Sequence, residues 1–372
     1  MTIVVDCRMI GKSGVGVYIQ EILPFLLNTD NSFILLGDKK KIQNITQKNQ
    51  NAKNVTIIDC VVKTFSMQEL FFFPRTICKI INRSDVFYSP YFNIPAGIKI
   101  PIFTTIHDII FPDMKELTST AGLAVRMWFF KRAARLSKKI FTVSYFSKSR
   151  IEHHLGKTKP VIVTYSAIRP FFLEPCANEH KKTETIIFIG NIKKHKGLNY
   201  LLDAFLKIKP LLPNHRLVIV GEKNNFRSAD TGVMEKIENA GKSAIEFTGS
   251  IPEAALKKLL CESALLVQPS LYEGFCLPPL EAIACGTKAL ISDIPVLKEI
   301  YAGYPVDFFR AGDSANLAEK ILSILYNREA PVIKLPADLA EKYSFGKTAE
   351  TILSGLAGSF EKETLSSPRL MN

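Results

Sequence analysis

Two carboxylates, Glu273 and Glu281, bracket the run GFCLPPL inside the segment YEGFCLPPLEAIACG. The segment reads as a loop followed by a short helix that begins near Pro278 and ends at Gly286. Proline at a helix start and glycine just past its end fit the preferences of helix termini. Backbone N–H groups of Phe275, Cys276 and Leu277, following Gly274, would sit at that start, where amides and the helix dipole suit a phosphate or diphosphate. Glu281, on the first turn, can accept hydrogen bonds from a ribose diol. Glu273, in the loop, can reach a sugar beyond the phosphates. The same residues also fit a capping turn with no ligand, since acidic side chains are common at helix N-termini.

Three further groups of residues could do chemistry. Lys193, Lys194, His195 and Lys196 crowd one loop after the apolar run TIIFIG. A lysine placed there can neutralise a phosphate as a point charge, although a solvated charged loop has the same composition. Gly11, Gly14 and Gly16 lie between the first apolar run and the first helical pattern, and let backbone approach a ligand closely. They form only part of a dinucleotide fingerprint, because Ile19 stands where a third glycine would. His107 and Asp108 close the run FTTIHD, where His107 can bond a sugar hydroxyl or serve a structural role. The chain contains no D-x-D pair to hold a divalent metal.

These residues need elements to position them. Short apolar runs rich in β-branched residues recur, seven in the first half (TIVVD, SFILLGD, VTIID, DVFYS, PIFTTIHD, KIFTVS, VIVTYS) and five in the second (TIIFIG, RLVIVG, IEFTG, ALLVQPS, KALISD). Many are continuous rather than alternating, as strands covered on both faces are. Helical patterns over 17–27, 198–208 and 252–261 fall between them, which predicts parallel sheets with right-handed crossovers. Twelve strands exceed one ordinary domain, and RPFFLEPCANEHKKT interrupts the pattern near 168–183. Two Rossmann-like halves facing each other are the expected architecture, and the tail after Leu365 is expected to fray.

Composition narrows the class. The chain has 372 residues, 47% hydrophobic and 22% charged, enough to bury two cores. No apolar stretch is long enough to span a bilayer, and the N-terminus MTIVVDCRMIGKSG reads as a strand rather than a secretion signal. The 7 cysteines are scattered and show no C-x-x-C, so reduced cytoplasmic thiols are expected, without a disulfide framework or zinc site. The net charge of +13 attracts phosphorylated ligands, anionic lipid or nucleic acid alike. Arg126, Lys131, Arg132, Arg135, Lys138 and Lys139 surround Met127, Trp128, Phe129 and Phe130. Read as one helix over 126–139, they suit either an interfacial helix or an ordinary solvated basic face.

Taken in order, SGVGVY, TIHDIIFPD, FTVSYFSKSRI, GNIKKHKGLNYLLDAF, FTGSIPEAALKKLL and YEGFCLPPLEAIACG resemble glycosyltransferase family 4 along the length of the chain. The resemblance implies an α/β fold of the GT-B class, two Rossmann-like domains facing each other across a cleft. It divides the chain into an acceptor domain (1–168), a donor domain (169–345) and a C-terminal helix returning to the first domain (346–372). It also implies a retaining, metal-independent hexosyltransferase with no cofactor, possessing a nucleotide-sugar donor (UDP or GDP) and a glycan or lipid-linked saccharide acceptor of surface polysaccharide. By the same resemblance Glu273, His107 and Lys196 are catalytic. Gly14, Gly16, Lys196, Gly274, Phe275, Cys276, Leu277 and Glu281 bind the donor. Three departures stand out: Cys276 replaces a glycine usual in the family, Asn191 and His195 flank Lys196 in the basic loop where many relatives carry an arginine, and Phe345 replaces a common indole. The expected place is the cytoplasm or the cytoplasmic face of a membrane met through 126–139, without nucleic acid as partner. A GT-B nucleotide-sugar epimerase and a non-catalytic anionic-surface or nucleic-acid binder are the alternatives.

Overall fold

The computed structural model describes residues 1–47, 54–157, 159–176, 182–221, 231–241, 243–327 and 333–358. Part of the interruption expected over 168–183, and the tail after Leu365, lie outside the described residues. The chain forms two compact units. The first comprises Met1–Lys115, Ser119–Ala167 and the C-terminal stretch from Tyr343; the second comprises Glu116–Thr118 and Ile168–Lys342.

The first unit holds a seven-stranded sheet, entirely parallel. Its strands are β1 (Thr2–Asp6), β2 (Ser32–Gly37), β3 (Val55–Asp59), β4 (Val86–Ser89), β5 (Ile102–Thr105), β6 (Ser137–Thr142) and β7 (Val161–Val163), in the order β3-β2-β1-β4-β5-β6-β7. The second unit holds a six-stranded parallel sheet: β8 (Thr183–Ile189), β9 (Arg216–Val220), β10 (Ile245–Gly249), β11 (Ser263–Gln268), β12 (Lys288–Ser292) and β13 (Asp307–Phe309), in the order β10-β9-β8-β11-β12-β13. Central strands such as β4, β5 and β11 are almost wholly buried, which is why they read as unbroken apolar runs. The edge strand β13, DFF, has three residues and gave no such signal.

The helix Phe345–Ala357 belongs to the first unit and lies on the helix Ser13–Leu27. Phe345 is buried and stacks on Phe25 with ring centres 6.4 Å apart. Gly355 admits the Phe141 ring, since a Cβ there would lie 2.6 Å from it.

Two expectations need correction. The basic segment 126–139 is not one helix. The helix Thr120–Leu136 ends where Ser137 turns into β6, so Lys138 and Lys139 are strand residues. Arg126 lies over the Phe111 ring, Arg132 donates to the Ile94 carbonyl, and Lys139 donates to the Gly355 carbonyl. Trp128 is half exposed, but Phe130 is core. The second correction concerns the thiols. Cys176 and Cys261, 85 residues apart, form a disulfide, and Cys285 completes a group whose sulfurs lie within 4.8 Å of one another. Scanning for local cysteine pairs missed it because the fold, not the spacing, brings them together. Among the described residues no helix is long and apolar enough to cross a membrane.

Candidate active site

In the second unit the chain order reverses between β8 and β11. Open α/β sheets bind ligands at the carboxyl ends of strands at such a point. The loops leaving β8 and β11 meet there. Leu271 N–H donates to the His195 carbonyl at 2.7 Å. Gly197, at φ +67°, lies so close to Pro269 that a Cβ would fall 1.9 Å from its carbonyl oxygen, so no other residue fits.

This contact delivers Lys196 to Glu273. The ammonium donates to both carboxylate oxygens, at 2.7 and 2.9 Å. Ser270 Oγ donates to Glu273 Oε1 at 2.7 Å, and Gln268 Nε2 donates to Ser270 Oγ at 3.2 Å. Glu273 is only 8% exposed. Burial pushes its pKa up, but the Lys196 charge, with the bonds from Lys196 and Ser270, outweighs burial and holds it below the ordinary carboxylate value. His195, half-buried beside Lys196, has its pKa lowered to about 4, by desolvation first and the Lys196 charge second.

Glu281 is 2% exposed and has its own cation. Arg169 Nε donates to Glu281 Oε1 at 2.6 Å, and its Nη1 donates to Glu253 Oε1 at 2.8 Å. The guanidinium lies 4.3 Å from the centre of the Phe172 ring. Arg169 carries no local signal in the sequence: it is 112 positions from Glu281, in the stretch that interrupts the strand pattern.

The helix carrying Glu281 is Pro278–Ala284. Pro278 and Pro279 occupy its first positions and have no N–H, so amides for an anion come mainly from the loop before it. Cys276 in that loop has φ +79°, in the left-handed region that favours glycine. A glycine, which the resemblance leads one to expect at this position, would adopt this conformation freely, whereas Cys276 adopts it with strain. Tyr301 Oη donates to the Cys276 carbonyl at 2.5 Å and fixes the turn.

The other candidates belong to the first unit, whose sheet reverses between β1 and β4. Gly14 lies exposed in the first turn of Ser13–Leu27, with open space where a Cβ would be. Gly16 is buried instead, and a Cβ there would lie 2.4 Å from the Met9 carbonyl. Its glycine is required by packing within the loop. His107 follows β5. Its Nε2 lies 3.0 Å from the Pro90 carbonyl, which makes Nε2 the donor and leaves Nδ1 as acceptor. Its ring meets Tyr18 edge-on at 4.7 Å. Burial lowers its pKa to about 4, so it is neutral at pH 7. Sequence reading also missed a buried group at the end of β1. Arg8 donates to Asp6 and Glu69, and Asn93 donates to both carboxylates.

Comparison with known proteins decides the family of the second unit. Residues 174–342 match the family model described as "Glycosyl transferases group 1". This segment is a group 1 glycosyl transferase domain. Among curated relatives, the chain is 25% identical over 227 residues to O-antigen chain mannosyltransferase B of Escherichia coli, covering 58% of each chain. It is 26% identical over 202 residues to O-antigen chain mannosyltransferase RfbU of Salmonella typhimurium, covering 53% of each. The matches thus span little more than half the length of these relatives. Of solved structures, Anabaena Alr3699/HepE in complex with UDP and glucose superposes with a TM-score of 0.74 at 15% identity, over 96% of this chain and 100% of that one. Sucrose-phosphate synthase from Thermosynechococcus elongatus gives the same score and identity, over 99% and 100%. The architecture is that of GT-B glycosyltransferases: two Rossmann-like units, each with a parallel sheet. The group 1 glycosyl transferase domain contains Lys196, Glu273, Cys276 and Glu281, while Arg169 precedes it by five positions.

The two histidines give the protein a pH signature. Their folded pKa values lie near 4, below the roughly 6.5 of an unfolded chain. The unfolded chain therefore takes up protons first as pH falls, and folded stability is lost from about pH 6.5 downward. The denaturation midpoint should drop between about pH 6.5 and about pH 5, before most carboxylates titrate. The drop should be shallower in the double variant His107→Gln/His195→Gln. Equal slopes in the two proteins would contradict the assigned burial.

Proposed function

We propose that the protein is a retaining, metal-independent family 4 glycosyltransferase that moves a hexose from a nucleotide-sugar onto a hydroxyl of a glycan or lipid-linked saccharide. Mannose is the favoured sugar, since the relatives are named as mannosyltransferases, and O-antigen-type surface polysaccharide is the favoured product. The observation that carries this reading is the pairing of Lys196 with Glu273 at the strand-order reversal, beside a strained loop that leads into the helix bearing Glu281.

In this reading Glu281 binds the ribose, and loop amides of Gly274, Phe275, Cys276 and Leu277 meet the diphosphate. Lys196 turns from Glu273 toward the departing phosphate and stabilises its charge. Glu273 then contacts the transferred sugar, and the leaving diphosphate helps deprotonate the acceptor hydroxyl on the same face. Gly14, with Gly16 shaping the loop, offers its open side to the diphosphate. Neutral His107 offers Nδ1 to a sugar hydroxyl. The acceptor's membrane would be met through Lys131, Arg135 and Trp128, on the exposed side of the helix Thr120–Leu136.

The direct test offers GDP-mannose, UDP-glucose, UDP-galactose and UDP-N-acetylglucosamine with lipid-linked oligosaccharide acceptors, in excess EDTA. Transfer from one donor with retained anomeric configuration is expected. Activity lost in EDTA and restored by manganese would contradict the metal-free mechanism. Epimerisation of a donor without any acceptor would favour the epimerase.

The pair itself predicts a pattern. Lys196→Ala strands the Glu273 carboxylate, and should cost roughly 2 kcal/mol of stability, less than the ~3–5 kcal/mol of a fully buried pair because Lys196 is partly exposed. Lys196→Ala/Glu273→Gln should recover most of that stability in urea titration, yet remain inactive. Recovery of transfer in the double variant would show that Lys196 serves only the pair.

A further inference from the structure

The helix Glu253–Glu262 carries Glu253, Lys257 and Cys261 four positions apart, which puts them on one face. All three hold the stretch 169–176. Glu253 accepts from Arg169 at 2.8 Å. Lys257 Nζ donates to the Phe171 carbonyl at 2.7 Å, sits 4.7 Å from the centre of its ring, and pairs with Glu174 at 3.8 Å. Cys261 is bonded to Cys176. The stretch is thus anchored at both ends and in the middle. At the end opposite the disulfide, the same guanidinium that Glu253 holds also holds Glu281.

Cys176 is partly exposed, whereas Cys261 and Cys285 are buried. Cys176 is therefore the most accessible residue of the three. Cys285, just past the helix bearing Glu281, has its thiol pKa pushed up to about 11 by burial, which keeps it protonated and out of exchange.

We propose that Cys176 and Cys261 form a reversible thiol–disulfide site for low-molecular-weight disulfides of the glutathione class, and that its state sets how firmly Arg169 is held on Glu281. The second part rests on Glu281 being the ribose acceptor. In the oxidising direction the Cys176 thiolate attacks the small disulfide and expels one small thiolate. The Cys261 thiolate then attacks the Cys176 sulfur of the mixed disulfide and expels the second. One S–S bond breaks, one forms, and the two protein protons leave with two small thiols. Reduction reverses each step. With the bond closed, Arg169 keeps Glu281 Oε1 and presents Oε2 to the ribose. With it open, the stretch loses one of its three anchors, and the carboxylate is presented less firmly.

The test equilibrates the full chain in glutathione buffers of graded ratio. Each sample is divided among non-reducing peptide mapping, zinc analysis, and calorimetric titration with UDP and with GDP. The linked Cys176–Cys261 peptide should appear at the oxidising end, vanish with dithiothreitol, persist in Cys285→Ser and be absent from Cys261→Ser. The oxidised protein should bind its nucleotide about fivefold more tightly than the reduced protein, and Cys176→Ser should show one affinity in both buffers. Stoichiometric zinc in the reduced protein, making the three thiols a metal site, would overturn the proposal. So would a bond that never titrates, or one that titrates without any change in affinity. Binding of neither nucleotide in either state would remove the ribose role of Glu281 and the coupling with it, while the peptide map still decides the disulfide.

Discussion

An ionised carboxylate taken out of water costs several kcal/mol unless a cation meets it, and the second unit buries two at its candidate site. Each is met by a cation from a distant part of the chain: Glu273 by Lys196 from the loop after β8, Glu281 by Arg169 from the stretch that opens the unit. Neither pair forms without the sheet. The reversal of strand order between β8 and β11 sets their loops together, Gly197 lets them touch, and the helix Glu253–Glu262 holds Arg169 in place. The electrostatics of the site therefore depend on topology, and the topology on the buried parallel strands.

The same dependence explains what could be read in the sequence. Of the thirteen strands among the described residues, twelve were legible as apolar runs, the central ones continuous because both faces are buried; β13, DFF, opens on an exposed Asp307 and buries only Phe309. The carboxylates Glu273 and Glu281 were legible because the turn and helix between them are local. Their partners differ. Lys196 was recognised as a candidate, but not as the partner of Glu273, 77 positions away. Arg169, the Cys176–Cys261 disulfide and the Asp6–Arg8–Glu69–Asn93 group involve long separations that no local pattern encodes. The basic run over 126–139 failed differently: charge was read as one helix across a boundary that the β-forming sequence SKKIFT imposes.

Cys276 links conformation to chemistry. Its left-handed backbone is a conformation that L side chains adopt at a cost, and the Tyr301 hydroxyl and the close packing of the loop maintain it. Strain of this kind persists where surrounding structure over-determines it, commonly at ligand sites. Here it shapes the loop whose amides are proposed to meet the diphosphate, since Pro278 and Pro279 carry no N–H at the helix start. Lys196, held by Glu273, places a cation at the same loop.

In the proposed function Glu281, held by Arg169, receives a ribose. Calorimetric titration of the full protein with UDP and GDP, each beside its 2′,3′-dideoxy counterpart, measures that role. The nucleotide that binds should lose about tenfold to a hundredfold in affinity when its ribose hydroxyls are removed, the worth of a hydrogen bond to a charged acceptor. Equal affinity for the ribo and dideoxy forms would contradict it.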